Sequence, residues 1–410
     1  MRIIDVICSE GRTGFYFDDQ KAIKMGAQND GIAYIGEPLT KGFTKIRIPG
    51  ESISVQLVLE DGSVAVGDCA AVQYSGAGGR DPLFLAKDYI PFIEKNLTVW
   101  LKSLDVETFL KNAEELDAKQ VDGHKLHTAV RYGISQALLD AAAKARKITM
   151  AEVIKEEFKT KSITKRPIFT QSGDDRYLNA DKMIIKHADV LPHALINNVE
   201  TKLGKDGSIL ADYVQWLHDR IKTLGGPSYN PRIHIDVYGT IGDAFNLDAE
   251  KQADYIISLE KIAAPYQLVI EGPMDAGSKE KQIECLSALT AALKAKGSTA
   301  KLVADEWCNT FDDVVDFVNA KAGDIMQIKT PDLGSVHNVA KAVLYCNDKG
   351  FGSYVGGTCN ETDISARCTT NVAMATEAYQ VLAKPGMGVD EGYMIVFNEM
   401  NRVAALANRK

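Results

Sequence analysis

The sequence predicts a (β/α)8 TIM-type barrel with an N-terminal α+β capping domain. Four short apolar segments end in Asp236, Glu271, Asp305 and Lys329. The acids are 35 (271 − 236) and 34 (305 − 271) residues apart, which is the length of one strand plus one helix. Strands of a parallel barrel point their carboxyl ends into one shared mouth, so these four side chains are expected to converge. A change of pattern near residue 160 separates this region from the part before it.

The first part of the chain predicts strands followed by helices. Residues 52–59 alternate apolar and polar side chains, and Glu60-Asp61-Gly62 supplies a turn into a second strand over 64–69. Apolar residues at helical spacing follow over 85–102, 104–116 and 127–146. Strands that precede a run of helices are typical of an α+β domain, which we assign to residues 1–160.

From Pro167 the pattern changes to alternating strands and helices, which we assign to a barrel over residues 161–410. Eight strands are predicted, over 168–171, 190–193, 233–236, 268–271, 302–305, 325–329, 353–357 and 380–384. Amphipathic helices are predicted between them, including 206–223, 246–263, 278–296, 310–320 and 335–348. The second strand conflicts with one rule, because Pro192 cannot donate a hydrogen bond in a central ladder. Eight strand–helix units favour a closed barrel over a doubly wound sheet.

The composition is that of an ordinary soluble enzyme. The 410 residues are 45% hydrophobic and 25% charged, with a formal net charge of −8. No block of Lys and Arg is present to release counterions, so neither nucleic acid nor a membrane is expected as a partner. The seven scattered cysteines form no C-x-x-C pair, and the first residues lack the apolar segment of an export signal. The sequence therefore predicts reduced thiols and a cytoplasmic location.

The three acids predict a metal site. A single carboxylate at the end of a strand could equally be a helix N-cap or a loop residue. That explanation accounts poorly for acids at the same place on three successive strands, and converging carboxylates suit Mg²⁺ or Mn²⁺. Zinc is not expected, because no Cys or His stands at a matching position. His234 lies two residues before Asp236 on the same side of its strand, so it is expected in a deeper layer of the barrel.

Lys329 and His193 are candidate bases. Taken alone, Lys329 would be a solvated loop residue and His193 a satisfied core or capping histidine. Lys329 ends the sixth predicted strand, however, where a nearby dication would lower its pKa and provide a neutral amine. His193 ends the second predicted strand, across the barrel mouth from the sixth. Two bases on opposite faces of a substrate could remove protons of opposite stereochemistry.

Further polar residues are expected at the same rim. Gln171 ends the first predicted strand, and Gly356-Gly357-Thr358 ends the seventh. The two glycines would let backbone N–H groups approach a ligand closely, and the Thr358 hydroxyl would add a donor. Both properties suit a substrate carboxylate.

The glycine-rich segment 73–80 and Cys359 each suggest a function that the rest of the sequence does not support. The glycine-rich segment 73–80 lacks the Gly-Lys-Ser/Thr ending of a phosphate-binding loop, so it is interpreted as a mobile lid from the first domain. Cys359 has the chemistry of a nucleophile, yet nothing in the sequence marks His193 as its base. Covalent catalysis by Cys359 is therefore not expected.

A capping domain, acids on three successive strands and a base on the next resemble the enolase superfamily. Longer strings resemble the methylaspartate ammonia-lyase family within it, and their length and spread over the whole chain make the resemblance specific. The strings are Gln73-Tyr-Ser-Gly-Ala-Gly-Gly-Arg-Asp-Pro-Leu, Thr170-Gln-Ser-Gly-Asp-Asp-Arg, Leu191-Pro-His-Ala-Leu-Ile-Asn-Asn, His234-Ile-Asp-Val-Tyr-Gly-Thr, Ile270-Glu-Gly-Pro-Met-Asp, Val303-Ala-Asp-Glu-Trp-Cys-Asn-Thr, Gln327-Ile-Lys-Thr-Pro-Asp and Gly356-Gly-Thr-Cys-Asn-Glu.

This resemblance implies a reversible elimination of ammonia from L-threo-3-methylaspartate, giving mesaconate (2-methylfumarate), with Mg²⁺ and a monovalent cation such as K⁺. It also implies a homodimer and a place in glutamate degradation through the methylaspartate/mesaconate pathway. By matching positions it makes Asp236, Glu271 and Asp305 the Mg²⁺ ligands, Lys329 the (S)-specific base and His193 the (R)-specific base. Substrate contacts are implied for Gln73, Gln171, His193, Gln327, Thr358 and Cys359.

Two alternatives remain open. Another superfamily member acting on a carboxylate, such as a dehydratase, a racemase or a cycloisomerase, would typically show Lys-x-Lys on the second strand or a histidine on the seventh. The corresponding segments here are Leu191-Pro-His-Ala and Gly356-Gly-Thr-Cys. A barrel that binds metal without catalysis would be expected to have lost a ligand or the base, and all of them are present.

Overall fold

A three-stranded antiparallel sheet is the basis of the N-terminal part of the chain. The computed structural model describes residues 1–77, 79–173, 175–387 and 389–409. The sheet has the order β1-β4-β5, and β2-β3 and β6-β7 form separate two-stranded ribbons. The strands are β1 (Ile3–Asp18), β2 (Gln28–Asp30), β3 (Ala33–Ile35), β4 (Arg47–Leu59), β5 (Val64–Cys69), β6 (Gln120–Val121) and β7 (His124–Lys125).

The predicted hairpin is confirmed as β4 and β5, which pair antiparallel up to Val58 opposite Val64. Strand β1, which pairs along most of β4, was not predicted from the sequence. Its register shifts between Ile3 and Asp5 and again between Arg12 and Tyr16. These irregularities break the strict two-residue alternation by which a half-buried strand is recognised.

Six helices accompany this sheet within the described residues. They are α1 (Gln20–Lys24), α2 (Ala86–Asn96), α3 (Thr98–Lys102), α4 (Phe109–Ala118), α5 (Thr128–Arg146) and α6 (Met150–Phe158). The helix predicted over 85–102 is divided at Leu97 into α2 and α3. The sequence analysis did not predict α6, although Thr149 and Glu152 form a capping box at its start.

Two glycines allow α5 to pack closely on β5. A Cβ atom at Gly133 in α5 would lie 2.3 Å from the Cys69 backbone nitrogen and 2.4 Å from its sulfur. A Cβ atom at Gly67 in β5 would lie 2.1 Å from the Gly133 carbonyl oxygen. Both distances are far below van der Waals contact, so the helix reaches the sheet only because these side chains are absent.

Eight parallel strands close into a barrel, as the sequence predicts. The strands are β8 (Ile168–Phe169), β9 (Val190–His193), β10 (Arg232–Asp236), β11 (Leu268–Glu271), β12 (Lys301–Ala304), β13 (Ile325–Ile328), β14 (Gly352–Val355) and β15 (Gln380–Leu382). Their order is β10-β11-β12-β13-β14-β15-β8-β9, and β9 pairs with β10 to complete the circle. The second predicted strand forms despite Pro192, which lies opposite His234 in the ladder.

Helices follow the barrel strands and surround them. They are α7 (Arg176–Ile185), α8 (Ser208–Leu224), α9 (Thr240–Ala244), α10 (Ala249–Ala263), α11 (Lys279–Ala295), α12 (Phe311–Asn319), α13 (Val336–Asp348), α14 (Asp363–Ala375) and α15 (Glu391–Ala407), with one π-helical turn at Val199–Leu203. Each of the five helices predicted here is present. None of the described helices combines the length and apolar character that a membrane span requires.

The interior of the barrel is a packed core and not a channel. It is filled by buried side chains from seven of the eight strands: Phe169, Val190, Val269, Val303, Ile325, Tyr354 and Leu382. A second and larger cluster joins the strands to the surrounding helices and extends into the N-terminal sheet. The domain division predicted between residues 160 and 161 falls in the segment between α6 and β8, and it stays a prediction.

We expect Gly133→Ala to destabilise the protein, although alanine is intrinsically favoured over glycine in a helix by about 1 kcal/mol. The added methyl group would meet the Cys69 backbone and sulfur at distances that require α5 and β5 to separate. Overpacking of this kind costs about 1–3 kcal/mol. Thermal unfolding measures the outcome, and a higher unfolding temperature in the variant would contradict the close approach.

Candidate active site

The three predicted acids meet at the carboxyl ends of neighbouring strands. Asp236 is the last residue of β10 and Glu271 the last of β11, and the two lie opposite each other in the parallel ladder. Asp305 directly follows β12. One ligand oxygen from each acid lies within 4.8 Å of the other two. The structure thus brings these carboxylates together at the mouth of the barrel.

Burial and mutual repulsion act together on these carboxylates. Burial, together with the charges of Asp236 and Asp305, raises the pKa of Glu271 well above its usual value. Glu271 Oε2 and Asp305 Oδ1 are buried. His234 Nε2 and Lys329 Nζ lie 2.9 and 2.8 Å from them, but neither oxygen accepts a well-aligned hydrogen bond from a described residue. Buried oxygen atoms need partners, and three carboxylates are a ligand set suited to a hard dication. The residues therefore fit Mg²⁺.

The side chains of Gln327 and His234 contact the carboxylate of Glu271. Gln327 Nε2 donates to Glu271 Oε1 (2.9 Å), and His234 Nε2 lies 2.9 Å from Oε2. The His234 ring stacks on Phe169 with a centroid distance of 4.1 Å, and its Nδ1 is 2.9 Å from Gln380 Nε2. Burial lowers the pKa of His234 well below its usual value, and the proximity of His193 lowers it further. His234 is thus buried in a deeper layer, as expected, where burial favours its neutral form, and it also contacts a candidate ligand.

Lys329 follows β13 and forms an ion pair with the last of the three acids. Its Nζ lies 2.8 Å from Asp305 Oδ1 and 3.8 Å from Glu306 Oε2. Burial lowers the pKa of Lys329, but the charges of Asp305 and Glu306 outweigh it and the net change is upward. The protein's own charges therefore favour the protonated amine. The neutral amine predicted from the sequence requires additional positive charge beside the acids.

His193 ends β9 and contacts the first of the three acids. Its Nε2 lies 3.4 Å from Asp236 Oδ2. His193, Ala194 and Leu195 all have positive φ, at 67°, 69° and 53°. Side-chain-bearing residues rarely adopt this left-handed conformation, and Ser172 Oγ helps to hold it by accepting from the Ala194 N–H (3.1 Å). The three acids thus lie between Lys329 on one side and His193 on the other.

Gln73 reaches the site from the N-terminal part, between β5 and α2. Its Nε2 donates to Asp18 Oδ2 (2.6 Å), and Asp18 also accepts two hydrogen bonds from the Arg47 guanidinium (2.6 and 2.7 Å). An ionised carboxylate only accepts hydrogen bonds, so Asp18 fixes which end of the Gln73 amide faces it. The Gln73 carbonyl oxygen is therefore turned away, where Cys359 Sγ donates to it (3.6 Å).

The remaining predicted contact residues lie at the same mouth. Gln171 follows β8, and the Oε1 atoms of Gln171 and Gln327 are buried without a hydrogen-bond partner among the described residues. Thr358 and Cys359 follow β14, and the Thr358 hydroxyl accepts from the Asn360 N–H (3.1 Å). Burial raises the pKa of Cys359 to about 12. A neutral thiol is a poor nucleophile, in agreement with the expectation that Cys359 forms no covalent intermediate.

The segment interpreted as a lid contacts the loop that carries Lys329. Arg80 Nε donates to Asp332 Oδ2 (2.9 Å), and Arg80 Nη2 donates to Asn309 Oδ1 (3.1 Å). Both partners follow barrel strands, Asn309 after β12 and Asp332 after β13. Gly78, which is part of the same prediction, lies outside the described residues. The N-terminal part thus contributes a charged contact as well as Gln73.

Sequence reasoning missed several residues that support the site. The Arg80–Asp332 pair and the contact of His234 with Glu271 were not predicted. Their signals were present, because Arg80 ends the glycine-rich segment and His234 shares a strand face with Asp236. Asp18 and Arg47 carried no such signal, because their role depends on the pairing of β1 with β4.

Comparison with solved structures supports the fold class. A dipeptide epimerase from Methylococcus capsulatus matches with a TM-score of 0.64 at 15% identity, covering 93% of this chain and 90% of that one. At such identity the likeness concerns the fold alone. The capped barrel, with acids ending its third, fourth and fifth strands, has the architecture that the resemblance to the enolase superfamily implies.

The comparisons also define the family. Family models for the methylaspartate ammonia-lyase N-terminus and C-terminus match residues 1–159 and 160–409. The methylaspartate ammonia-lyase of Clostridium tetanomorphum is 61% identical over 100% of both chains, and that of Citrobacter amalonaticus is 57% identical over 100% of both. A crystal structure of the Clostridium tetanomorphum beta-methylaspartase as a Mg complex has a TM-score of 0.98 over 100% of both chains. The chain belongs to the methylaspartate ammonia-lyase family, whose members are carbon–nitrogen lyases.

We expect Mg²⁺ to stabilise the protein more strongly as the pH rises. Because the folded pKa of Glu271 is raised, the stability that its proton contributes is present below the unfolded value of 4.5 and is lost as the pH rises through the folded value. Mg²⁺ must displace this proton, so the rise in unfolding temperature on adding Mg²⁺ should grow over the same range. Calorimetric scans with and without Mg²⁺ at a series of pH values measure it.

Glu271→Gln should abolish the Mg²⁺-dependent rise in unfolding temperature, because the amide lacks the charge that holds the ion. Glu306→Gln is the matched control, since Glu306 is a neighbouring acid outside the group of three. A rise of equal size at every pH in the unaltered protein would show that Glu271 carries no proton displaced by the metal.

Proposed function

We propose that the protein catalyses the reversible, Mg²⁺-dependent elimination of ammonia from (2S,3S)-3-methylaspartate, the L-threo isomer, giving mesaconate. The observation that carries the proposal is the group of three acids flanked by Lys329 and His193 in a member of this family. A crystal structure of the Citrobacter amalonaticus methylaspartate ammonia lyase, with a TM-score of 0.98 and 56% identity, contains (2S,3S)-3-methylaspartic acid. The same substrate is assigned here to the mouth of the barrel.

The difficult step is removal of the proton on C3, which is weakly acidic because the neighbouring carboxylate is already negatively charged. Asp236, Glu271 and Asp305 would hold Mg²⁺, with Gln327 and His234 keeping Glu271 in place. When bound, Mg²⁺ supplies positive charge beside the substrate carboxylate on which negative charge develops, an effect often worth several kcal/mol. Lys329 Nζ accepts the proton from C3, and the loss of ammonia from C2 completes the double bond.

His193 is proposed as the second base, acting on the 3-epimer. Its strand, β9, and the Lys329 strand, β13, are separated by β10, β11 and β12, the three strands that carry the acids. Each base lies against an outer member of the acid group, His193 against Asp236 and Lys329 against Asp305. A substrate held between them would present opposite faces of C3 to the two groups.

Five further side chains are proposed to bind the two carboxylates and the amine. The oxygen atoms of the glutamine amides are acceptors for the N–H groups of a substrate ammonium. Asp18 already turns the Gln73 oxygen away from itself, and the Oε1 atoms of Gln171 and Gln327 lack partners among the described residues. The hydroxyl of Thr358 and the neutral thiol of Cys359 are suited to donate to a carboxylate.

Three further properties are proposed from the family resemblance. They are activation by a monovalent cation such as K⁺, a homodimeric assembly, and a cytoplasmic location in glutamate degradation through the methylaspartate/mesaconate pathway. The location is supported by the cysteines, all seven of which are free of disulfide bonds.

We expect the purified protein to generate mesaconate from (2S,3S)-3-methylaspartate in the presence of Mg²⁺ and K⁺. The unsaturated dicarboxylate absorbs in the ultraviolet, so growth of absorbance measures turnover. Removal of Mg²⁺ with a chelator should abolish the signal, and removal of K⁺ should reduce it. A flat trace from folded, Mg²⁺-loaded protein would refute the proposed function.

Loss of each proposed base should affect a different epimer of the substrate. Lys329→Ala should abolish turnover of (2S,3S)-3-methylaspartate, because no other base faces that proton, while His193→Ala should mainly impair the 3-epimer. General base catalysis contributes about 10²–10⁴-fold, which sets the expected loss in kcat on the matching epimer. Steady-state kinetics of both variants on both epimers provide the measurement, and equal losses in all four combinations would rule out the two-base arrangement.

A further inference from the structure

A second group of buried charges lies behind the proposed active site and takes no part in the chemistry described so far. Lys384, two residues beyond β15, and Glu361, in the loop after β14, are both completely buried. Lys384 Nζ lies 2.8 Å from Glu361 Oε1. Because a buried charge is costly to desolvate, the placement of two of them at this depth calls for an explanation.

The Lys384 ammonium group is fully satisfied by atoms from the loops that follow β13 and β14. Its three N–H groups have three acceptors: Glu361 Oε1 (2.8 Å), Thr330 Oγ1 (2.9 Å) and the Gly356 carbonyl oxygen (2.7 Å). Thr330 directly follows Lys329, and Gly356 begins the loop that carries Thr358 and Cys359. One side chain therefore joins the turn of the proposed base to the loop of the proposed substrate contacts.

Glu361 also connects the turn that follows Lys329 to the loop that carries Thr358. Its Oε1 also accepts from Thr330 Oγ1 (3.0 Å) and from the Thr358 N–H (3.3 Å). Its Oε2 accepts from the Tyr132 hydroxyl (2.8 Å), which belongs to α5. The pair thus anchors both loops to each other and to a helix of the N-terminal part.

Gly357 shows how closely the chain packs on this pair. Its φ is +126°, and a Cβ atom there would lie 2.1 Å from Glu361 Oε1 and 2.9 Å from Lys384 Nζ. From the sequence, Gly356 and Gly357 were interpreted as letting backbone N–H groups approach a ligand closely. The structure supplies another reason for Gly357, because any side chain at this position would displace the ion pair.

Stability alone is a weak reason for such an arrangement. Desolvation of two charges offsets much of their attraction, and buried ion pairs can often be replaced by uncharged residues at little cost. We propose that Lys384 and Glu361 are positioning residues for the elimination, holding the Lys329 turn and the Thr358–Cys359 loop in register with each other. This inference rests on the proposed function. It adds two residues that act on the reaction without touching the substrate.

The test is the double variant Glu361→Gln with Lys384→Met, which removes both charges and preserves the size of both side chains. Its unfolding temperature and Mg²⁺ affinity should remain close to those of the parent, because neither residue contacts the three acids. The kcat on (2S,3S)-3-methylaspartate should fall by about 10²-fold, the size of loss that a misplacement of about 1 Å produces. The 3-epimer should lose less, since His193 lies on β9 and makes none of these contacts, so the ratio of the two rates should shift.

A matched control is the exposed pair Lys341 and Glu114, whose charged atoms lie 2.7 Å apart. Glu114→Gln with Lys341→Met should leave both rates unchanged. The inference is overturned if the folded Glu361/Lys384 variant retains (2S,3S) turnover within about threefold of the parent, or if both epimers lose rate equally. An inactive parent protein would instead refute the proposed function.

If the double variant does not fold, Thr330→Val decides the question. It preserves the ion pair but removes the Thr330 hydroxyl, through which Lys384 and Glu361 contact the turn that carries Lys329. A loss of kcat concentrated on the (2S,3S) epimer, with unaltered Mg²⁺ affinity, supports the positioning role. Rates like those of the parent on both epimers would refute it.

Discussion

The mutual repulsion of three carboxylates at the ends of adjacent strands is the constraint on which the rest of the site depends. The barrel strands bring one oxygen each of Asp236, Glu271 and Asp305 within 4.8 Å of one another, and the chain's own positive charges only partly offset the repulsion. Lys329 balances one of the acids, and Gln327 donates a hydrogen bond to another. A site built in this way has a strong electrostatic preference for a dication.

The same constraint relates the metal site to the chemistry. A lysine that forms an ion pair with Asp305 is held in its protonated form, so positive charge among the acids is what would free it to act as a base. In the proposed function, metal binding and base activation would be coupled through this one short contact. His193 stands in a similar relation to Asp236, on the opposite side of the group.

The N-terminal part contributes side chains to the site. Gln73 is oriented by Asp18 and Arg47, and Arg80 pairs with the loop behind Lys329. The Tyr132 hydroxyl reaches Glu361 from α5, so the cap is also connected to the buried charges behind the mouth. The proposed substrate-binding groups are thus positioned by contacts between segments distant in sequence. The site requires both parts of the chain.

The sequence by itself determined the barrel, the hairpin and the four strand-end residues, because strand and helix periods and the 34- to 35-residue spacing are encoded locally. The places of the eight barrel strands followed from the same patterns, although β8 and β15 are shorter than predicted. Only the tertiary structure decided that Asp18 orients Gln73, that His234 touches Glu271, and that Lys384 pairs with Glu361. The irregular strand β1 and the division at Leu97 also escaped prediction. The three contacts share one physical reason: they join segments far apart in the chain, which meet only once the sheet and barrel have closed.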